Sequence, residues 1–227
     1  MHRKEFLRRL GQVASVAALS PLLVACGGGD ADTLDIASDD QSSLDTDAGT
    51  VIGVPLSAEE IASLKFMREE EKLAHDVYSA LFADWGHPTF ANVALSETEH
   101  TEAILALLLK YGVPDPAEGK PAGVFEDQDL QALYNQLVAT GRQSLIAGLE
   151  VGALIEEKDI QDIVDRRALT DEADIQGVYD SLLCGSRNHL RAFNGALLDL
   201  GVTYVAQVIT QQEWDAIAYS ARETCGG

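Results

Sequence analysis

The residues with the most chemical content in this chain are two histidines and a set of glutamates on apolar stretches. Glu97-x-x-His100 places a carboxylate and an imidazole one turn apart on one face of any helix that contains them. Glu71, Glu157 and His189 stand in comparable apolar surroundings elsewhere. Carboxylates and imidazoles together suit iron, manganese and related ions. A buried carboxylate without a partner costs several kcal/mol, so several of them converging need protons, cationic side chains or a metal. Few Lys or Arg share their helical rows, and metal is the economical answer.

Helices must position these groups. Ser57-Ala58-Glu59-Glu60 is a capping box opening a helix that runs to about Ala83, ended by Trp85-Gly86-His87-Pro88. A second helix runs from Phe90 to Tyr111 and stops at Gly112. A short one follows from Asp127 to about Ala139, then a third long helix from Gln143 to Ala168. Thr170 can cap a fourth that reaches Leu200 before Gly201, and Thr210-Gln211-Gln212-Glu213 is a second capping box for a short terminal helix. The pattern predicts an all-α four-helix bundle with a short extra helix in the long connection and a short C-terminal helix.

Steps of three and four along each long helix give the inward rows. They are Leu64, Met67, Glu71, Ala74, Tyr78 and Leu81, then Val93, Glu97, His100, Ile104, Leu107 and Tyr111. The third row is Ile146, Glu150, Ala153, Glu157, Ile160 and Val164, and the fourth is Leu182, Ser186, His189, Phe193, Leu197 and Leu200. Every row holds a polar group able to ligate metal. Glu69, Glu70, Glu99 and Glu102 read as solvated faces, and His75 and His87 as surface or packing residues. Tyr78 is either an ordinary core residue or a donor to a ligand carboxylate. Gly148, Gly152 and Gly185 inside helices cost about 1 kcal/mol each relative to Ala, which points to close helix approach.

An internal repeat supports the same set. Glu70-Glu71-Lys72-Leu73-Ala74-His75-Asp76-Val77 is similar to Glu156-Glu157-Lys158-Asp159-Ile160-Gln161-Asp162-Ile163, which pairs Glu71 with Glu157. The segment from Ser96 to Ala103 lines up with that from Gly185 to Ala192, pairing His100 with His189. Two such helix pairs related by an approximate dyad would bring Glu71, Glu97, His100, Glu157 and His189 to one level, with Glu156 and Glu150 as alternatives on the third helix.

The blocks Met67 to Ala74 with Tyr78, Ser96 to His100, Gly152 to Ile160 and Gly185 to Phe193 together resemble the ferritin-like superfamily, in particular a rubrerythrin-related, uncharacterised bacterial and archaeal family. The resemblance spans Ser57 to Ala218. It implies two iron ions, or manganese, that react with dioxygen or peroxide. Ser186 stands where a second Glu-x-x-His would have its Glu, so the implied site is one carboxylate short unless Glu150 or Glu156 substitutes. No rubredoxin-type Cys-x-x-Cys occurs, so a peroxidase would need an external reductant.

The N-terminal residues describe an address. Arg3, Lys4, Arg8 and Arg9 precede an interrupted apolar stretch from Leu10 to Ala25, and Leu23-Val24-Ala25-Cys26-Gly27 resembles the lipobox of bacterial lipoproteins. Residues 1–25 read as a signal peptide, Cys26 as the lipidated N-terminus, 26–56 as an acidic flexible linker and 57–227 as the domain. The formal charge of -21 repels nucleic acid and anionic lipid, which leaves the N-terminal lipid as the expected membrane contact. The expected location is the cell envelope, on the periplasmic side of the outer or inner membrane. Expected partners are metal ions, dioxygen or peroxide, an external reductant and, as an option, a second copy in a homodimer. With Cys26 acylated, Cys184 and Cys225 remain, an even number that suits a disulfide or two buried thiols. The function expected is Fe(II) oxidation or peroxide or dioxygen reduction at a dinuclear site, with a non-enzymatic envelope metal-binding or interaction module as the alternative.

Overall fold

The structure is a computed structural model and describes residues 55–225. The signal segment, Cys26 and the linker up to residue 54 lie outside the described residues. Among the described residues six helices and no strands occur: α1 (Ala58–Trp85), α2 (Pro88–Lys110), α3 (Gln128–Gly141), α4 (Leu145–Arg167), α5 (Ala173–Asp199) and α6 (Gln211–Ala218). The all-α helical bundle stands as the sequence implies. None of these helices is long and apolar enough to cross a membrane.

Local sequence sets most of the boundaries. Both capping boxes form: Ser57 and Glu60 exchange bonds at the start of α1, and Thr210 and Glu213 do so at α6. Gly86 ends α1 with a φ of 63°, and two residues later α2 begins, so the pair must run antiparallel. His87 caps α2, its Nδ1 accepting the Thr89 N–H at 3.4 Å. Thr170 departs from expectation. The residue before α5 is Glu172, and Thr170 Oγ1 donates to Glu60 Oε1 at 2.6 Å while accepting the Glu172 N–H, so it ties two helix starts together.

The long helices pack as two pairs, α1 on α2 and α4 on α5, and α3 lies across α1 and α4. The rows expected on α1, α2 and α5 are buried apart from half-buried Tyr111 and exposed Leu200. Glycine permits the closest approaches. A Cβ on Gly152 would stand 2.3 Å from the Phe193 ring, and one on Gly185 would stand 2.4 Å from His100 Nε2.

Helix α4 corrects the expected row. Ile146 and Val164 are 38% and 47% exposed, whereas every residue from Val151 to Ile160 is buried. A helix buried on all sides has no apolar stripe to read, and stepping from Ile146 selects a row turned about 100° from the inward one. Glu69 and Glu70 also differ from expectation, because both are buried. Glu69 accepts the N–H groups of Glu126 and Asp127 at the start of α3, and Glu70 lies among Lys158, Asp162 and Arg166.

Candidate metal centre

Each long helix contributes to one polar cluster in the middle of the bundle. Its buried side chains are Glu71 from α1, Glu97 and His100 from α2, Glu156 and Asp159 from α4, and Ser186 and His189 from α5. Glu97 is central. Its Oε2 lies 2.8 Å from His100 Nδ1 and its Oε1 2.8 Å from His189 Nδ1, so one carboxylate addresses both imidazoles. Glu71 Oε2 is 3.2 Å from His100 Nδ1, and Glu156 Oε2 is 3.4 Å from His189 Nδ1. The two rings stack with centroids 5.3 Å apart. Ligand atoms of Glu97, His100 and His189 all lie within 4.8 Å of one another.

Neighbouring groups hold these side chains in place. Ser96 Oγ is 2.9 Å from His189 Nε2, an arrangement that leaves Nδ1 directed at the carboxylates. Tyr78 donates to Glu156 Oε1 at 2.5 Å. Burial pushes the Tyr78 phenol well above its ordinary pKa, and Glu156 adds to this, so it stays a donor. Ser186 Oγ is bonded to Asp159 Oδ2 and lies 2.9 Å from the Leu182 carbonyl. The small residue at Gly185 leaves room for the His100 ring.

The electrostatics are those of crowded negative charge. Burial alone would raise the Glu97 carboxyl, but His189 and His100 on its two oxygens outweigh that and hold it well below the usual carboxylate range. Burial would lower the imidazoles; Glu97 and Glu156 instead bring His189 up to about 10, and Glu97 and Glu71 lift His100 well above its ordinary value. Glu71 is pushed up to about 7 by burial, against the pull of His100. Asp159 rises well above its ordinary value through burial and then through Glu71, Glu70, Glu156 and Glu97.

These groups fit a metal better than they fit one another. Glu71 Oε1, Glu97 Oε2, Asp159 Oδ1 and His189 Nδ1 are buried and have no hydrogen bond among the described residues. For Glu97 Oε2 and His189 Nδ1 the 2.8 Å separations are short enough, so the missing element is hydrogen-bond direction, whereas His100 Nδ1 is directed at Glu71 Oε2. Carboxylate and imidazole donors with ligand atoms within 4.8 Å of one another, as on Glu97, His100 and His189, suit a hard or borderline divalent ion.

Of the sequence candidates, Glu71, Glu97, His100, His189 and Glu156 come together, whereas Glu157 and Glu150 do not join them. Glu157, about 100° round α4 from Glu156, faces the C-terminal arm, where Tyr204 donates to Oε2 at 2.8 Å and the Gln207, Val208 and Ile209 N–H groups reach it at 3.0 to 3.3 Å. Its full set of donors leaves no oxygen for a cation. Glu150 is half-buried and acts electrostatically on Tyr204, on that same side. Sequence reasoning passed over Ser96 and Asp159. Asp159 had a usable signal, since Glu156-x-x-Asp159 repeats the spacing of Glu97-x-x-His100 within an apolar run. Away from the centre, Cys184 and Cys225 are joined by a disulfide with S–S 2.08 Å, which fastens the C-terminal arm to α5.

Comparison with known proteins finds similarity over most of the helical domain. An uncharacterised protein of Methanocaldococcus jannaschii, MJ0754, is 44% identical over 169 residues, covering 74% of this chain and 91% of that protein. The crystal structure of the hypothetical protein MJ0754 matches with a TM-score of 0.73 over 74% of this chain and 97% of the other. Residues 60–221, nearly all of the helical domain, match the family described as an uncharacterised protein domain, DUF2202. With the family model and the 44% identical relative both covering most of the chain, the chain belongs to the DUF2202 family.

Proposed function

We propose that the cluster holds two iron ions, or manganese in their place, and that this ferritin-like domain oxidises Fe(II) or reduces peroxide or dioxygen. The observation that carries the proposal is Glu97 offering one oxygen to each of two buried imidazoles. One ion would be held by His100, Glu71 and Glu97, and the other by His189, Glu156 and Glu97. A bound pair supplies two electrons by passing from Fe(II) to Fe(III), which together with two protons convert one hydrogen peroxide to two water molecules. Ser96 fixes the ring of His189, Tyr78 orients Glu156, and the buried rows around them, Met67 and Ala74 on α1 with Val93 and Ile104 on α2, exclude bulk water. The chain has three cysteines and no Cys-x-x-Cys pair, so electrons for repeated turnover come from an external reductant.

The lipobox-like segment supports an exported protein attached to the envelope through Cys26. Metal analysis of natively purified protein, followed by anaerobic loading with Fe(II) and admission of oxygen, tests the function. About two irons per chain with oxygen uptake is the expected result. Absence of bound metal overturns it, and tight stoichiometric metal without oxygen or peroxide consumption favours the binding module. Partition of the native protein with membranes, lost in Cys26→Ser, tests the anchor.

A further inference from the structure

We propose that Asp159 is the fourth carboxylate of the metal centre and that Ser186 is its positioning residue. The assignment rests on the dinuclear reading above and says which side chain completes it. Helix α2 carries Glu97 three residues before His100, and α5 carries Ser186 at the same distance before His189. A serine hydroxyl is a weak ligand, so the α5 half of the centre lacks a carboxylate of its own. The facing turn of α4 supplies one. Asp159 is 6% exposed, stands one turn beyond Glu156, and has its Oδ2 bonded to Ser186 Oγ.

Its other oxygen makes the case. Oδ1 of Asp159 is buried with no hydrogen bond among the described residues, as is Oε1 of Glu71. Asp159 also feels the charges of Glu71, Glu70, Glu156 and Glu97, three of which belong to the cluster. A structural buried acid would be expected to have both oxygens satisfied, as Glu157 does. The Ser186 hydroxyl has one proton, for either Asp159 or the Leu182 carbonyl; given to Asp159, it satisfies Oδ2 and leaves Oδ1 as the one Asp159 oxygen without a donor.

Charge counting agrees. Imidazoles that ligate are neutral, so Glu71, Glu97 and Glu156 bring three negative charges against the four positive charges of two divalent ions. Asp159 closes the difference inside the protein, which matters where water is excluded.

Anaerobic titration of the purified full chain with Fe(II), alongside the Asp159→Asn and Ser186→Ala variants, tests the assignment. Asp159→Asn keeps the shape and removes one negative charge, so the metal-free variant should fold with the helical content and stability of the parent or better. The expected result is about two ions per parent chain and about one per Asp159→Asn chain. Ser186→Ala should keep both ions and weaken the second by roughly 10- to 100-fold, as loss of a ligand-orienting partner does. Two ions bound by Asp159→Asn with parent affinity overturn the role of Asp159. Parent affinity in Ser186→Ala overturns the role of Ser186. A parent chain that binds no metal is a different failure, that of the dinuclear reading itself.

Discussion

Glu156 and Glu157 are neighbours of one residue type, buried to 1% and 0% exposure, and they belong to two different regions of the molecule. Glu157 faces the C-terminal arm and receives one phenol and three backbone N–H groups, so its charge holds the segment before α6 against α4. Glu156 faces the bundle centre and meets Tyr78 and His189, beside other carboxylates whose oxygens lack donors. Glu69 repeats the outer pattern on α1, gripping two N–H groups at the start of α3. Buried carboxylates here are thus of two kinds, those held by backbone N–H and phenol donors and those crowded against imidazoles and one another.

The strongest test of that contrast removes the imidazoles. His100→Ala or His189→Ala should lower bound metal to half the native content or less while the helices persist, read by metal analysis and circular dichroism. Unchanged metal in both variants would remove the centre as described. The outer region should behave in the opposite way. Reducing the Cys184–Cys225 bond or replacing both residues by Ser should cost about 3 to 4 kcal/mol in urea unfolding, for a closed loop of about 40 residues, with metal content retained.

The neighbouring glutamates then provide a matched pair. Glu157→Gln weakens a charged acceptor of several donors and should lower metal-free stability by about 1 to 3 kcal/mol without changing metal stoichiometry. Glu156→Gln should lower metal affinity with little loss of metal-free stability. If both variants lose metal equally, the division between regions fails.

The smallest effect concerns pH at the arm. Arg187, against some desolvation, and then Arg191 bring Glu223 down to about 2 from an ordinary 4.5. A depressed folded value stabilises above the ordinary one, so this contribution is complete above about pH 4.5 and disappears as pH falls towards 2. Because the side chain is one-third exposed, the loss should be on the order of 1 kcal/mol. Urea midpoints compared between the parent and Glu223→Gln should converge in that window, and a gap that persists at pH 2 contradicts the pairing.

Much of this organisation was legible from the residues. Capping boxes at Ser57 and Thr210, the stop at Gly86 and the apolar rows of α1, α2 and α5 are local properties, and tertiary packing left them unchanged. Glu97 and His100 could be paired because one helix holds both. The repeat aligned the i,i+4 pairs Lys72–Asp76 and Lys158–Asp162, both formed, yet its equation of Glu71 with Glu157 missed by one residue. On α4 nothing local separates Glu156 from Glu157, because the C-terminal arm buries the side that would otherwise face water.

The chain by itself therefore determined the six helices of the described residues, the capping boxes at Ser57 and Thr210 and three of the four inward faces, because helical periodicity and end chemistry depend on residues within a few positions of each other. Only the tertiary structure decided which carboxylates of α4 face the centre, that Asp159 stands beside Ser186, and that Glu157 and Glu69 grip backbone. Those outcomes depend on what packs against the far side of a helix. Burial on every side erases the contrast of polarity from which the sequence could have been read.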